Sequence, residues 1–119
     1  PRQYETLVGE RGVSLSGGQR QRTSIGRALA RNPDLLNLDD VLAAVDTETE
    51  AAILRKLQPV FSTRTTLLVS HRVSTLVAMD VIWVLENGRV TQQGTHAELI
   101  RQPGYYRRLH EMQQLAAVL

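Results

Sequence analysis

Two short apolar runs, Leu35-Leu36-Asn37-Leu38 and Thr66 to Ser70, stand on either side of one helical segment, and no other feature constrains the fold as strongly. A strand, a helix and a second strand at this spacing form a βαβ unit, whose strands lie parallel in one sheet. The first run is nearly continuous in leucine and ends in Asp39-Asp40, the pattern of a strand buried on both faces of a parallel sheet. The second reads as another buried strand. Between them, Thr47-Glu48-Thr49-Glu50 has the form of a capping box that opens a helix through Ile53, Leu54 and Leu57, with Pro59 closing it.

The flanking segments extend this α/β pattern. From Gly17 to about Arg31 the residues are mostly good helix formers, with Ile25, Ala28 and Leu29 on one face and Asn32-Pro33 as a stop. After His71, the stretch from Val73 to Met79 reads as helical and Val81 to Leu85 as a strand. Asn87-Gly88 is a tight-turn signal that leads into a second strand over Arg89 to Gln93. Thr95-His96-Ala97-Glu98 forms another capping box, and Tyr106, Leu109, Met112 and Leu115 recur at helical spacing beyond Pro103-Gly104. The expected product is an α/β fold with parallel strands, flanking helices and a C-terminal hairpin.

Composition narrows the functional classes. With 42% hydrophobic and 22% charged residues, the 119-residue chain has the makeup of one globular unit. Its fourteen basic and twelve acidic residues are interspersed, which argues against an electrostatic nucleic-acid tail. The absence of cysteine removes disulfides and thiolate metal sites and makes a reducing, cytosolic setting the default expectation. No apolar run approaches the ~20 residues of a membrane-spanning helix, so any membrane connection is expected from another segment or a partner. The chain opens at Pro1 and its methionines, Met79 and Met112, are internal, so sequence is expected upstream.

Three positions carry chemistry. Leu15-Ser16-Gly17-Gly18-Gln19 runs directly into the first helix. Paired glycines let backbone N–H groups approach an anion, the helix start supplies unpaired donors and positive dipole, and Ser16 adds a hydroxyl, so the segment suits a phosphate. Alone, it also fits an ordinary glycine-rich helix entry. Asp39 and Asp40 end a buried strand, where ligands collect in open parallel sheets and where Mg²⁺ with a nucleotide is accommodated. A carboxylate there equally fits a cap or a turn. His71, directly after the second run, is placed to hydrogen-bond a terminal phosphate or an attacking water, whereas His96 and His110 read as structural or solvated histidines.

Taken together, these motifs resemble the ABC ATPases. Leu15 to Gln19 resembles the family's signature sequence, Leu35 to Asp40 its Walker B motif, Ala43-Ala44-Val45-Asp46 its D-loop and Val69-Ser70-His71-Arg72 its H-loop. Thr6-Leu7-Val8-Gly9-Glu10-Arg11-Gly12 is similar to the X-loop of ABC exporters. The resemblance covers nearly the whole chain, with X-loop, signature and signature helix in residues 1–33 and the remaining elements in residues 34–119. It implies the C-terminal portion of one nucleotide-binding domain on the cytoplasmic face of the plasma or inner membrane, powering export with ATP and Mg²⁺.

In the sandwich dimer of that family, Asp39 would hold Mg²⁺ through water, Asp40 and His71 would act on the attacking water and γ-phosphate, and Asp46 would reach across the interface. Leu15, Ser16, Gly17, Gly18 and Gln19 would complete the ATP site of a second nucleotide-binding domain, and Glu10 would touch the transmembrane domain. A soluble ABC ATPase acting on nucleic acid and a catalytically silent interaction module are the alternatives. The X-loop-like segment and the lack of a basic patch count against the first, and the lack of a P-loop favours the second.

Two departures qualify the resemblance. Within these residues there is no Gly-x-x-x-x-Gly-Lys-[Ser/Thr] loop, and Lys56, the only lysine, lies in a predicted helix, so the chain alone is expected to hold ATP weakly or not at all. The Walker B aspartate is followed by Asp40 where the family usually has Glu, with Val41, Leu42 and Ala43 departing beside it. A carboxylate one methylene short is a poorer base, since about 1 Å of misplacement costs on the order of 10²-fold. The resemblance therefore implies a degenerate site of the kind found in heterodimeric exporters.

Overall fold

A computed structural model describes residues 17–119. They belong to two compact units, the first ending at Val69 and the second spanning Ser70–Leu119. The first contains helix α1 (Gly17–Ala30), strand β1 (Leu35–Asp39), helix α2 (Thr47–Thr63) and strand β2 (Thr65–Val69). β1 and β2 pair in parallel, from Leu35 opposite Thr65 to Asp39 opposite Val69, as the βαβ spacing requires. α1 ends where Asn32 turns left-handed at φ 48° and its N–H donates to the Leu29 carbonyl, ahead of Pro33.

Burial of this sheet is one-sided, which corrects the expectation of strands covered on both faces. Leu36 and Leu38 are buried, while Leu35, Leu67 and Val69 on the opposite face stay 59%, 46% and 44% exposed. α1 lies against β1 and α2 against β2. Among the described residues no second layer covers the other face. Ile25, Leu42, Val45, Ile53 and Leu57 form the core beside the sheet, flanked by Val60 and Phe61.

α2 departs from its sequence reading at both ends. Its N-cap is Asp46, whose Oδ1 accepts the Thr49 N–H at 2.7 Å, so the helix starts one residue ahead of the expected Thr47 cap. Aspartate is the stronger cap, and Glu50, expected to close a capping box, is instead buried at 2% exposure. Pro59 lies inside the helix, which continues to Thr63. An interior proline costs roughly 3 kcal/mol. Val60 and Phe61 pack onto the core just beyond it, and the Ser62 and Thr63 hydroxyls donate to the Pro59 and Val60 carbonyls. Tertiary packing carries the helix past its break.

The second unit contains α3 (Val73–Leu76), β3 (Ile82–Glu86), β4 (Arg89–Gly94), α4 (His96–Leu99) and α5 (Tyr105–Val118). α3 is a single turn, shorter than the helical stretch expected to Met79. β3 and β4 form the expected antiparallel hairpin, and Asn87 and Gly88 both have positive φ, 52° and 75°, as a type I′ turn demands. A bulge between Val84 and Leu85 shifts the register, and Thr91 Oγ1 donates to the Glu86 carboxylate beside it. The Thr95–Glu98 capping box is present in full. Val73, Ile82, Val84, Leu99 and Tyr106 form the core. The apolar stripe of α5 is only half used: Tyr106 is buried and Leu109 packs on the core, but Met112 and Leu115 are 66% and 61% exposed.

Candidate functional site

The carboxyl end of β1 gathers three of the candidate acids into one strand–turn–helix segment. Asp39 is the last ladder residue and is exposed. The Asp40 N–H then donates to the Val69 carbonyl at 2.7 Å, adding one bond beyond the ladder, and the chain swings left-handed there at φ 52°. Aspartate visits this region more readily than most residues, because its short polar side chain bonds locally. The turn that follows is held by Ala43 N–H to the Asp40 carbonyl and Val45 N–H to the Leu42 carbonyl. Leu42 and Val45 are buried at 4% and 5% exposure, pinning the turn from below. Leu42, one of the departures from the family pattern, is thus a core residue, and Asp46 leaves the turn as the cap of α2.

α1 begins at Gly17-Gly18-Gln19, with no acidic residue in its first turn to compete for an anion. Leu15, Ser16 and Glu10 lie outside the described residues. A hollow of about 310 Å³ flanked by Arg27, Arg31, Leu35 and Asn37 opens toward the start of β1, away from the acids at its end. Among the described residues no three or more His, Cys, Asp or Glu side chains are grouped to hold a metal. A lone exposed carboxylate such as Asp39 is nevertheless the donor that Mg²⁺ accepts when waters and phosphates complete its shell.

His71 stands near the start of the second unit with an exposed side chain, and the backbone that follows it is tied down by side chains. Ser70 Oγ accepts the Arg72 N–H at 3.0 Å, while Gln113 Nε2 donates to the His71 carbonyl at 2.6 Å and Gln113 Oε1 accepts the Val73 N–H at 2.9 Å. Sequence reasoning missed Gln113. The only available hint was an amide on a helix whose apolar face docks nearby.

The other two histidines act in packing. His96 Nδ1 lies 2.8 Å from the Tyr106 hydroxyl, and its ring meets those of Tyr106 and His110 edge-on at 5.7 and 5.1 Å. Burial first, and the neighbouring His110 charge second, hold the His96 pKa below its usual value. Burial also pushes the Tyr106 phenol up to about 12. Hydrogen bonds from Thr95 hold the Glu98 carboxyl below its usual value and keep the cap charged.

A parallel βαβ unit with acids at the strand end, followed by a hairpin and two helices, defines the class as an α/β fragment. Comparison with known proteins makes this specific. Residues 2–43 match the model of the ABC transporter family. The chain is 50% identical over 113 residues to an ATP-dependent lipid A-core flippase of Aromatoleum aromaticum, covering 95% of this chain and 19% of that protein. It is 49% identical over 115 residues to a probable multidrug resistance ABC transporter ATP-binding/permease protein, YheI, of Bacillus subtilis, covering 97% and 20%. The structure of a bacterial Atm1-family ABC exporter with ATP bound superimposes with a TM-score of 0.88 at 45% identity, over 96% of this chain and 20% of that one. The chain is thus similar to the ABC transporter family and matches part of the ATPase fold of an exporter. It spans about a fifth of the length of the curated relatives it matches.

Proposed function

We propose that this chain is the C-terminal part of the nucleotide-binding domain of an ABC exporter, supplying half of its own ATP site and the signature half of a partner's. The order of the motifs carries the reading: Leu15 to Gln19, Asp39-Asp40, Asp46 and His71 fall in sequence along a chain that aligns with exporters at 45–50% identity over at least 95% of its length.

In this account Asp39 is the residue that would hold Mg²⁺ through water, and the ion would supply positive charge to the phosphates of ATP. Asp40 orients the attacking water, and His71 hydrogen-bonds the γ-phosphate as charge develops on it. Ser16, Gly17 and Gly18 offer a hydroxyl and backbone N–H groups to the γ-phosphate held by a second nucleotide-binding domain. Asp46 reaches across that interface from the turn it terminates, and Glu10 meets the transmembrane domain at the cytoplasmic face of the membrane. Among the described residues no helix is long and apolar enough to cross a membrane.

The phosphate-holding lysine loop is absent from these residues, so the chain alone does not retain ATP. Asp40 weakens the home site, while the intact signature leaves the partner's site competent, as in a heterodimer with one degenerate site. Calorimetric titration of the 119-residue chain with Mg-ATP tests the first point, with no binding expected at micromolar concentrations. Turnover of the complete transporter with Asp40 and with Asp40→Glu tests the second. Equal rates in a homodimer would refute the degenerate site.

A further inference from the structure

We propose that Gln113 is a positioning residue for His71, setting the backbone from which the imidazole reaches the γ-phosphate; this rests on the reading of His71 given above. Three backbone groups just after β2 are satisfied by side chains. Ser70 Oγ takes the Arg72 N–H, and the Gln113 amide takes both the His71 carbonyl and the Val73 N–H, at 2.6 and 2.9 Å. Val73 opens α3, whose N-cap, Arg72, makes no side-chain cap bond, so an orphan helix-start donor is satisfied from a helix forty residues further along the chain.

The two partners dictate the chemistry. A carbonyl must meet a donor and an N–H must meet an acceptor, and a primary amide offers one of each at this spacing. A carboxylate in the same place would set oxygen against the His71 carbonyl, and an apolar side chain would satisfy neither group. The clamp is itself anchored. Seven residues earlier on α5, Tyr106 is 2% exposed, donates its N–H to Gln92 Oε1 at 3.3 Å and meets His96 through its hydroxyl. Tyr106 and Gln113 lie two turns apart on one helical face, so a displacement of α5 moves the His71 backbone with it.

The test uses the complete transporter carrying Asp40→Glu to strengthen the home site and Ser16→Arg to silence the partner's, so that turnover reports the site of His71. Four further variants are compared in that background: Gln113→Met, which matches the length without the hydrogen bonds, Gln114→Ala as an exposed neighbouring control, His71→Ala, and Gln113→Met combined with His71→Ala. Misplacement of a group acting on the transition state lowers kcat while leaving KM nearly unchanged, so Gln113→Met is expected to cost about tenfold in kcat with KM for ATP within about twofold. The double variant is expected to turn over no more slowly than His71→Ala alone, because the clamp acts only through the histidine. Hydrogen exchange at the Val73 amide is expected to speed up in Gln113→Met and not in Gln114→Ala. If Gln113→Met folds poorly, Gln113→Asn, which keeps the amide but falls a methylene short of both partners, makes the same comparison. Normal kcat in the Gln113 variant beside an inactive His71→Ala overturns the clamp and leaves the role of His71 standing. Full activity in His71→Ala overturns both.

Discussion

Replacing Asp40 separates two demands made on one residue. Its backbone is left-handed at φ 52°, a conformation that costs an ordinary L-residue about 1–2 kcal/mol and an aspartate or asparagine less. Asp40→Asn is therefore expected to leave stability within about 0.5 kcal/mol. Asp40→Glu loses the short side chain that tolerates this conformation and is expected to cost about 1 kcal/mol. Asp40→Gly removes the strain but adds freedom to the unfolded chain, and the two nearly cancel. Each kilocalorie moves the melting temperature by roughly 4–8 °C in a domain of 60–100 residues and by somewhat less here.

Turnover is expected to follow the opposite order. Asp40→Glu lengthens the carboxylate by a methylene and raises the rate of the home site, by up to about 10²-fold if the shortfall is near 1 Å, so the complete transporter speeds up by that site's added share. Asp40→Asn abolishes what base function the home site has. Urea titration of the 119-residue chain, followed by circular dichroism, gives the stability order. Steady-state phosphate release by the complete transporter gives the other. A Glu variant as stable as wild type would refute the backbone argument, and a Glu variant no faster than wild type would refute the short-carboxylate argument.

Other predictions concern packing and pH. Pro59→Ala restores an N–H to the interior of α2 at an exposed position and is expected to stabilise the chain by about 2 kcal/mol, the helix penalty of roughly 3 less about 1 for the more flexible unfolded chain; a neutral or destabilising result in urea titration would contradict it. Leu99→Ala, at 0% exposure in the second core, is expected to cost about 2–5 kcal/mol in the same assay. Because the pKa of folded His96 lies below its usual 6.5, the unfolded chain binds a proton first as the pH falls, so stability declines on acidification through and below that value. Melts between about pH 8 and about pH 5.5 check this, and His96→Gln is expected to flatten the slope.

What was legible in the sequence was local or periodic. The Asn87-Gly88 turn, the Thr95–Glu98 box and the βαβ spacing each depend on residues near one another or on a repeating pattern, and the structure realises all three. Pro59 misled because the packing of Val60 and Phe61 outweighs a local break. The cap of α2 fell at Asp46 because two acceptable caps stood side by side and the better one took the role. The leucine run of β1 announced a strand but not which of its faces is covered, since Leu35 and Leu36 look alike in sequence and differ only in what lies against them. The candidate acids were legible as a motif, whereas the left-handed backbone of Asp40 and the Gln113 clamp were not. The first is a conformation, and the second joins groups forty residues apart.

The measurement that bears most directly on the account is steady-state ATP turnover by the complete transporter carrying this segment, compared with His71→Ala and Ser16→Arg. Both variants are expected to assemble, Ser16→Arg losing most of the turnover through the competent site that this signature completes and His71→Ala losing only the smaller share carried by its own weakened site. Assembled variants that hydrolyse ATP at the unsubstituted rate would contradict the assignment of both halves.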